Sequence, residues 1–192
     1  LDRDRRAGGL GRFRQRRFAH VRALIETVLA RKGCCRIIDI GGTERYWDIA
    51  GDFIEASRIE IHLVNLEAAP VASSRFTSAS GDATDLGEID DNSFDLVHSN
   101  SVIEHVGSWD KMAAMAGTVR RLAPAYYLQT PNFWFPVEPH FRSLGFHWLP
   151  ETLRARRLMS RGLGFRARQA TLDGAMRQVQ SVTLLDRRQL AA

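Results

Sequence analysis

The 192-residue sequence predicts an α/β fold with a doubly wound, mostly parallel sheet, and three observations carry that expectation. Five short runs rich in β-branched and other apolar residues alternate with helical or loop segments, the pattern of a parallel sheet covered on both faces. The first run ends in Gly41-Gly42, a strand entering a tight turn. Small polar or acidic residues then follow four successive strands, where open parallel sheets place their ligands.

The elements follow in order. Behind Phe18, the apolar positions Val21, Leu24, Ile25, Val28 and Leu29 recur at helical spacing. Arg31 and Lys32 suit the negative end of the helix dipole, and Gly33 suits its C-terminal turn. A helix therefore precedes the first strand, RIIDIGG. EIHLVNLE reads as the second strand, and RFTSAS as the third, ending at Gly81-Asp82. FDLVHSN is the fourth, introduced by the turn formers Asp90-Asp91-Asn92-Ser93. Trp109 to Leu122 sets Met112, Met115, Val119 and Leu122 on one helical face, with Ser108 as N-cap and Pro124 as stop. AYYLQTP is the fifth strand. NFWFPVEPHFRSLGFHWLP then holds six of the seventeen aromatic residues and, with Pro131, four of the six prolines, too many for a regular element. Leu149 to Leu163 reads as a helix with an Arg-rich outer face, and SVTLLDRRQLAA as a short strand or turn leading into a helix. With no internal repeat or low-complexity linker, residues 1–192 read as one domain in three parts: a basic segment and helix (1–35), a core (36–131), and an aromatic segment with C-terminal helices (132–192).

Composition excludes several classes. At 44% hydrophobic and 26% charged residues the chain is ordinary for a globular protein. No apolar run approaches the roughly 20 residues of a membrane helix. Leu1-Asp2-Arg3-Asp4-Arg5-Arg6 has no apolar stretch behind it and does not read as a secretory signal. Cys34 and Cys35 are adjacent, which disfavours a disulfide between them, and no C-x-x-C pair exists. Free thiols imply a reducing compartment, and a cytoplasmic location is expected. The net charge of +5 is carried almost wholly by Arg. The RFRQRR run suits phosphates, but more often such a run is a solvated helix face. No nucleic-acid-binding motif accompanies it, so nucleic acid is not an expected partner. Nothing in the sequence specifies an oligomeric state.

The residues after each strand carry the chemistry. Gly41, Gly42 and Thr43 follow the first strand, where glycine permits a sharp turn and close approach of a ligand to the main chain. Asn65 and Glu67 follow the second, at about the separation from Gly41 at which a ribose diol finds its acceptor. Asp82 can accept from an adenine amino group while the Ala83 amide donates to the ring. Ser99, Asn100 and Ser101 can hold an amino-acid end. Singly, each has a plain structural use: a tight turn at Gly41-Gly42, a helix cap at Asp82, a turn at Asn100. Together they favour a nucleoside-containing cofactor. A dinucleotide requires G-x-G-x-x-G so that its pyrophosphate reaches a helix N-terminus. Here GGTERYW offers no further glycine before Gly51 and sets bulky Tyr46 and Trp47 in that place, which argues against a dinucleotide-dependent oxidoreductase and tolerates a ligand without phosphates.

The strings IIDIGGTERYW, HLVNLE, SGDATDL, FDLVHSNSVIEHVG and QTPNFWFPVEPHF resemble the class I S-adenosylmethionine-dependent methyltransferases, most closely the small single-domain bacterial type with a DxGG first motif. The resemblance runs from about Arg36 to Pro150. It implies a Rossmann-like sheet of methyltransferase type, with 36–131 as the cofactor-binding core and 132–192 on the acceptor side. It implies that Asp39, Gly41, Gly42 and Thr43 line the methionine end of S-adenosylmethionine. Asn65 falls at the usual place of the ribose-binding acid, with Glu67 beside it. Asp82 and Ala83 fall at adenine, Ser99 and Asn100 at the methionine moiety, and Glu104-His105 toward the cofactor. Two departures stand out. Thr43 and Arg45 replace the later glycines of the first motif, and the acid after the second strand is an amide. The family also closes its sheet with two strands after the last helix, so a sheet without those C-terminal strands is expected here.

The resemblance implies methyl transfer to a small-molecule acceptor. Positioning of the acceptor supplies most of such a rate, roughly 7–11 kcal/mol, and a base adds perhaps 10²–10⁴-fold where the acceptor has a proton to lose. His105 is the first candidate base and His140, in EPH, the second. His105 would otherwise be a packing residue at a helix start. Glu138, His140 and His147 follow no strong metal-ligand spacing, and no metal is expected. The aromatic stretch from Phe133 to Trp148 follows the fifth strand, where this architecture places its acceptor pocket; it would equally cover a sheet edge. The departures from the first motif keep a second reading in view, a non-catalytic protein of the same fold that binds partners. The tetrapeptides NPPY or DPPY of nucleic-acid methyltransferases are missing after the fourth strand, which reads SNSV.

Overall fold

The β-branched run after Gly33 becomes the central strand of a five-stranded sheet. The computed structural model describes residues 9–192, so the Leu1–Arg6 stretch discussed above lies outside the described residues. Contacts divide the chain into two compact units: residues up to Asn100 with Ala113–Leu128, and Ser101–Met112 with Gln129–Ala192. The division near Gln129 falls close to the change in texture read at Pro131. The excursion Ser101–Met112 was not separable by composition and belongs with the second unit.

In the first unit, β1 (Cys35–Ile40) lies between β2 (Ile59–Asn65) and β4 (Leu96–Asn100). The strand order is β3-β2-β1-β4-β5, with β3 at Phe76–Ser80 and β5 at Tyr126–Gln129. The β1–β2, β2–β3 and β1–β4 pairings are parallel. The chain winds outward from β1 to β3 and returns on the other side at β4, so the order reverses between β1 and β4. α1 (Gly9–Lys32) buries Phe18, Val21 and Ile25 in the same cluster as Ile37, Ile59, Ile61 and Leu63. Each such side chain contributes roughly 1.5–3 kcal/mol on leaving water. Between β1 and β2 run two short helices, α2 (Glu44–Trp47) and α3 (Asp52–Ala56). α4 (Trp109–Leu122) has the predicted bounds, and Met115, Val119 and Leu122 are buried.

Asp95, buried at the entry to β4, accepts from the Arg36 amide at 2.8 Å and from the Lys32 ammonium. Burial alone would raise its carboxyl, but these donors outweigh it and hold Asp95 below the usual carboxylate range. A lowered folded-state value gives stability that is present above the unfolded value and is lost as pH falls through the folded one. Asp95→Asn is therefore expected to lower the denaturant midpoint at pH 7, and its difference from the parent should shrink progressively as pH falls below the usual carboxylate range. A loss that stays constant as pH falls would show that the charge contributes nothing.

The second unit has a short antiparallel pair, β6 (Val137–Glu138) with β7 (Ser143–Leu144), inside the segment read as irregular. The prolines flank these two-residue strands or fall outside the pairing. α5 (Glu151–Ser160) is shorter than the predicted 149–163, because Arg161 turns to extended backbone. α6 (Leu172–Gln180) was not anticipated, and α7 (Arg187–Ala191) is closed by an Asp186/Gln189 capping box. The core here is Phe141, Phe146, Ala155, Leu158, Leu163, Ala175 and Val179, with the two phenylalanine rings 4.4 Å apart. The Ser101–Met112 stretch is tied into this unit by Ser101 N–H to Gln129 O and Thr183 N–H to Glu104 O, both 2.8 Å. No helix among the described residues is long and apolar enough to cross a membrane.

Candidate functional site

Register brings the carboxyl ends of β1 to β4 level, with Ile40 beside Val64 and Ser99, and Asn65 beside Ser80. Gly41-Gly42, Asn65, Asp82 and Asn100 thus gather along one edge of the sheet, at the point where strand order reverses. Gly41 has φ +77°, in the left-handed region that favours glycine, and is exposed. A Cβ on Gly42 would lie 1.7 Å from Asp39 Oδ2, so this position has no room for a side chain. Asn65 Nδ2 donates to the Gly42 carbonyl at 2.9 Å and fastens the turn to β2. Glu44 accepts from the Ala72 and Ser73 amides at 2.8 and 2.9 Å, fastening α2 to the loop after β2.

Two of the sequence-derived residues lie beneath this edge instead of on it. Asp39 is fully buried and accepts from Trp47 Nε1 at 2.8 Å through one oxygen. Its other oxygen accepts from His98 Nδ1 at 2.6 Å. It supports the turn without facing solvent. Ser99 is buried, and its hydroxyl donates to the Ile40 carbonyl at 3.1 Å. Thr43, Glu67 and Asp82 are exposed, and Asn65 and Asn100 are half-buried. Asp82 Oδ1 accepts from the amide and hydroxyl of Thr84 at 2.9 and 2.7 Å, so it does perform the local capping that its residue type allows. Ala83 is buried behind it.

His98 is the residue that sequence reading missed. Inside a strand its period gives no signal, but pairing sets it beside Asp39. Its Nε2 lies 3.2 Å from the Tyr46 hydroxyl, and its ring stacks within 3° of the Tyr127 plane at 5.7 Å. Burial, with Asp39 close by, pushes the Tyr46 phenol up to about 12, so it stays protonated and can donate to His98.

The second unit carries both histidines proposed as bases. His105 is exposed, and its Nδ1 donates to the Ser181 carbonyl at 3.0 Å. His140 is half-buried, and its Nδ1 donates to Glu138 Oε1 at 2.7 Å. The two rings meet edge to face, 4.9 Å between centroids. Each Nδ1 faces an acceptor, so each Nε2 carries the lone pair. His147 stands apart from them, with Nε2 donating to the Phe133 carbonyl at 2.7 Å. Nearby is a cavity of about 360 Å³ whose lining includes Phe133, Glu138, Phe146, His147 and Arg154. His147 Nδ1 and Arg154 Nε are buried there without hydrogen-bond partners among the described residues. Burial also holds the Arg154 guanidinium below its ordinary value, despite the opposing pull of Glu151 and Glu138.

A five-stranded Rossmann-like sheet in the order β3-β2-β1-β4-β5, with a glycine turn after β1 at the switch point, is the fold of a class I methyltransferase. A family model described as a methyltransferase domain matches residues 29–128, more than half of the sequence, and the chain belongs to that family. Two solved structures are similar to it. One is a provisionally assigned sarcosine dimethylglycine methyltransferase from Galdieria sulphuraria, at 21% identity and TM-score 0.35. That match covers 52% of this chain and 40% of the other. The second is a provisionally assigned methyltransferase from an antibiotic biosynthesis pathway of Anabaena variabilis, at 15% identity and TM-score 0.45, covering 73% of this chain and 60% of the other. The chain thus spans less than two thirds of either relative's length. No curated protein sequence matches it.

Proposed function

We propose that the protein is a cytoplasmic S-adenosylmethionine-dependent methyltransferase acting on a small-molecule acceptor. The observation that carries the reading is the Gly41-Gly42 turn, packed on buried Asp39 so that no side chain intervenes at the switch point of a parallel sheet. The donors and acceptors along that edge fit a nucleoside cofactor. Gly41, Gly42 and Thr43 would take the methionine end through the main chain, with Asn100 beside it. Asn65 and Glu67 would accept from the ribose hydroxyls, and Asp82 with the Ala83 amide would take the adenine edge. Asp39 and Ser99 would act from beneath, holding the turn and β4 in place. The cofactor supplies, when bound, an electrophilic methyl group on a sulfonium.

What remains is to hold the acceptor and take its proton. The 360 Å³ cavity of the second unit is within the size range of small-ligand pockets. Its phenylalanine walls suit an apolar body, while His147 Nδ1 and Arg154 Nε supply polar handles for an oxygen-bearing end. His105 and His140 each present an Nε2 lone pair, oriented through Nδ1, able to accept a proton from a hydroxyl or amine.

Calorimetric titration with S-adenosylmethionine, S-adenosylhomocysteine and NAD tests the cofactor. Micromolar binding of the first two is expected, with no heat from NAD. Asp82→Ala should weaken that binding about tenfold, one hydrogen bond's worth of affinity. Silence toward all three from a folded chain would overturn the enzyme reading in favour of a non-catalytic protein of methyltransferase fold.

A further inference from the structure

We infer that Glu104, His105 and His140 form a binding site for a divalent transition-metal ion. One ligand atom from each of the three lies within 4.8 Å of the others. Glu104 is only 1% exposed, and its carboxylate is asymmetric. Oε2 accepts from Thr130 Oγ1 at 3.0 Å, whereas Oε1 is buried with no hydrogen-bond partner among the described residues. A buried, unpartnered carboxylate oxygen is costly and calls for a partner such as an ion.

The histidines are prepared in the manner of metal ligands. A ligating imidazole almost always donates its second nitrogen to a carboxylate or carbonyl, which fixes the ring and leaves the other lone pair on the metal. His140 donates to Glu138, and His105 to the Ser181 carbonyl. All three ligands therefore have an orienting partner: Thr130, Ser181 and Glu138. Sequence could not reveal this, because the ligands are contributed by a turn after β4 and by the Pro-rich segment 35 residues later.

Two neutral imidazoles and one carboxylate suit zinc, manganese or iron(II) better than calcium or magnesium, which prefer all-oxygen sites. Ligands about 2.1 Å from a zinc ion lie roughly 3.4 Å apart, so closure requires shifts of about an ångström. The exposed His105 can make them. Three protein ligands leave open positions, the mark of a site that also binds water or substrate. An ion there would lower the pKa of a bound hydroxyl. It would thereby replace the proton-accepting role that the same two Nε2 atoms have in the metal-free state. The ion site stands on its own residues and does not depend on the cofactor assignment.

Chelator-treated full-length protein, titrated with Zn²⁺ and separately with Mn²⁺, should take up one ion per chain with micromolar or tighter affinity. Glu104→Gln, His105→Ala and His140→Ala should each weaken uptake by at least about tenfold. Thr130→Val should weaken it by about tenfold through the Glu104 orientation. His20→Ala, on the exposed face of α1, should leave it unchanged. Cobalt(II) gives a readout independent of any variant: visible ligand-field bands in the parent protein, abolished by added Zn²⁺. Absence of stoichiometric uptake and of those bands would overturn the site, as would uptake unaffected by the three ligand substitutions. Metal uptake without S-adenosylmethionine binding would uphold the site while removing the methyl-transfer reading.

Discussion

Asp39→Ala is expected to cost about 4 kcal/mol of stability, a drop in Tm of roughly 10–15 °C, for reasons that do not involve any ligand. The substitution leaves Trp47 Nε1 and His98 Nδ1 buried without acceptors, each at a cost of about 1–3 kcal/mol, and opens a cavity beneath Gly42. Asp39→Asn discriminates the cause. Its side-chain carbonyl can still accept from Trp47, while its amide donates to His98 Nδ1. The imidazole then moves its proton to Nε2, where the Tyr46 hydroxyl can accept. All partners are satisfied, so the amide variant should lose less than about 1.5 kcal/mol. Thermal melts of both variants decide the matter. A large loss in Asn as well as Ala would mean that the negative charge, not the hydrogen-bond geometry, holds the network.

The network explains which parts of the site were legible in the sequence. Strands β1 and β2 announced themselves through β-branched runs, β4 and β5 through short apolar ones and β3 more weakly, and α4 through an apolar stripe bounded by Ser108 and Pro124. The strand-end residues followed from topology, since any residue just beyond a parallel strand faces the same edge. Whether such a side chain faces outward depends on partners distant in sequence. Asp39 meets His98 across 59 positions, and Ser99 meets Ile40 across the same number. Those pairings turn both residues inward. α6 escaped notice because Gly174 weakens its propensity and only Ala175 and Val179 are buried on it. The Glu104 cluster escaped for the same reason as His98: Thr130 lies 26 positions from the Glu104 it orients, and Ser181 lies 76 positions from His105.

Gly42→Ala is expected to abolish binding at the proposed cofactor site while leaving a folded, weakened protein. The added methyl would sit 1.7 Å from Asp39 Oδ2 and 2.1 Å from Asp39 Cγ, distances no relaxed structure tolerates. Asp39 cannot swing aside freely, because both oxygens are engaged in a fully buried site. The strain is therefore relieved by moving the turn, which also strains the Asn65 hydrogen bond to the Gly42 carbonyl. Overpacking of this kind costs about 1–3 kcal/mol, occasionally more, so the sheet survives. Displacing the main chain at the switch point by even an ångström removes the surface on which the methionine end would rest, and S-adenosylhomocysteine titration should register no binding. The double variant Gly42→Ala/Asp39→Ala tests this account. With the carboxylate gone the methyl has room, so the second substitution should add less than its single-variant cost, a coupling of 1 kcal/mol or more. Strict additivity of the two losses would show that the methyl is accommodated by some route other than displacement of the turn.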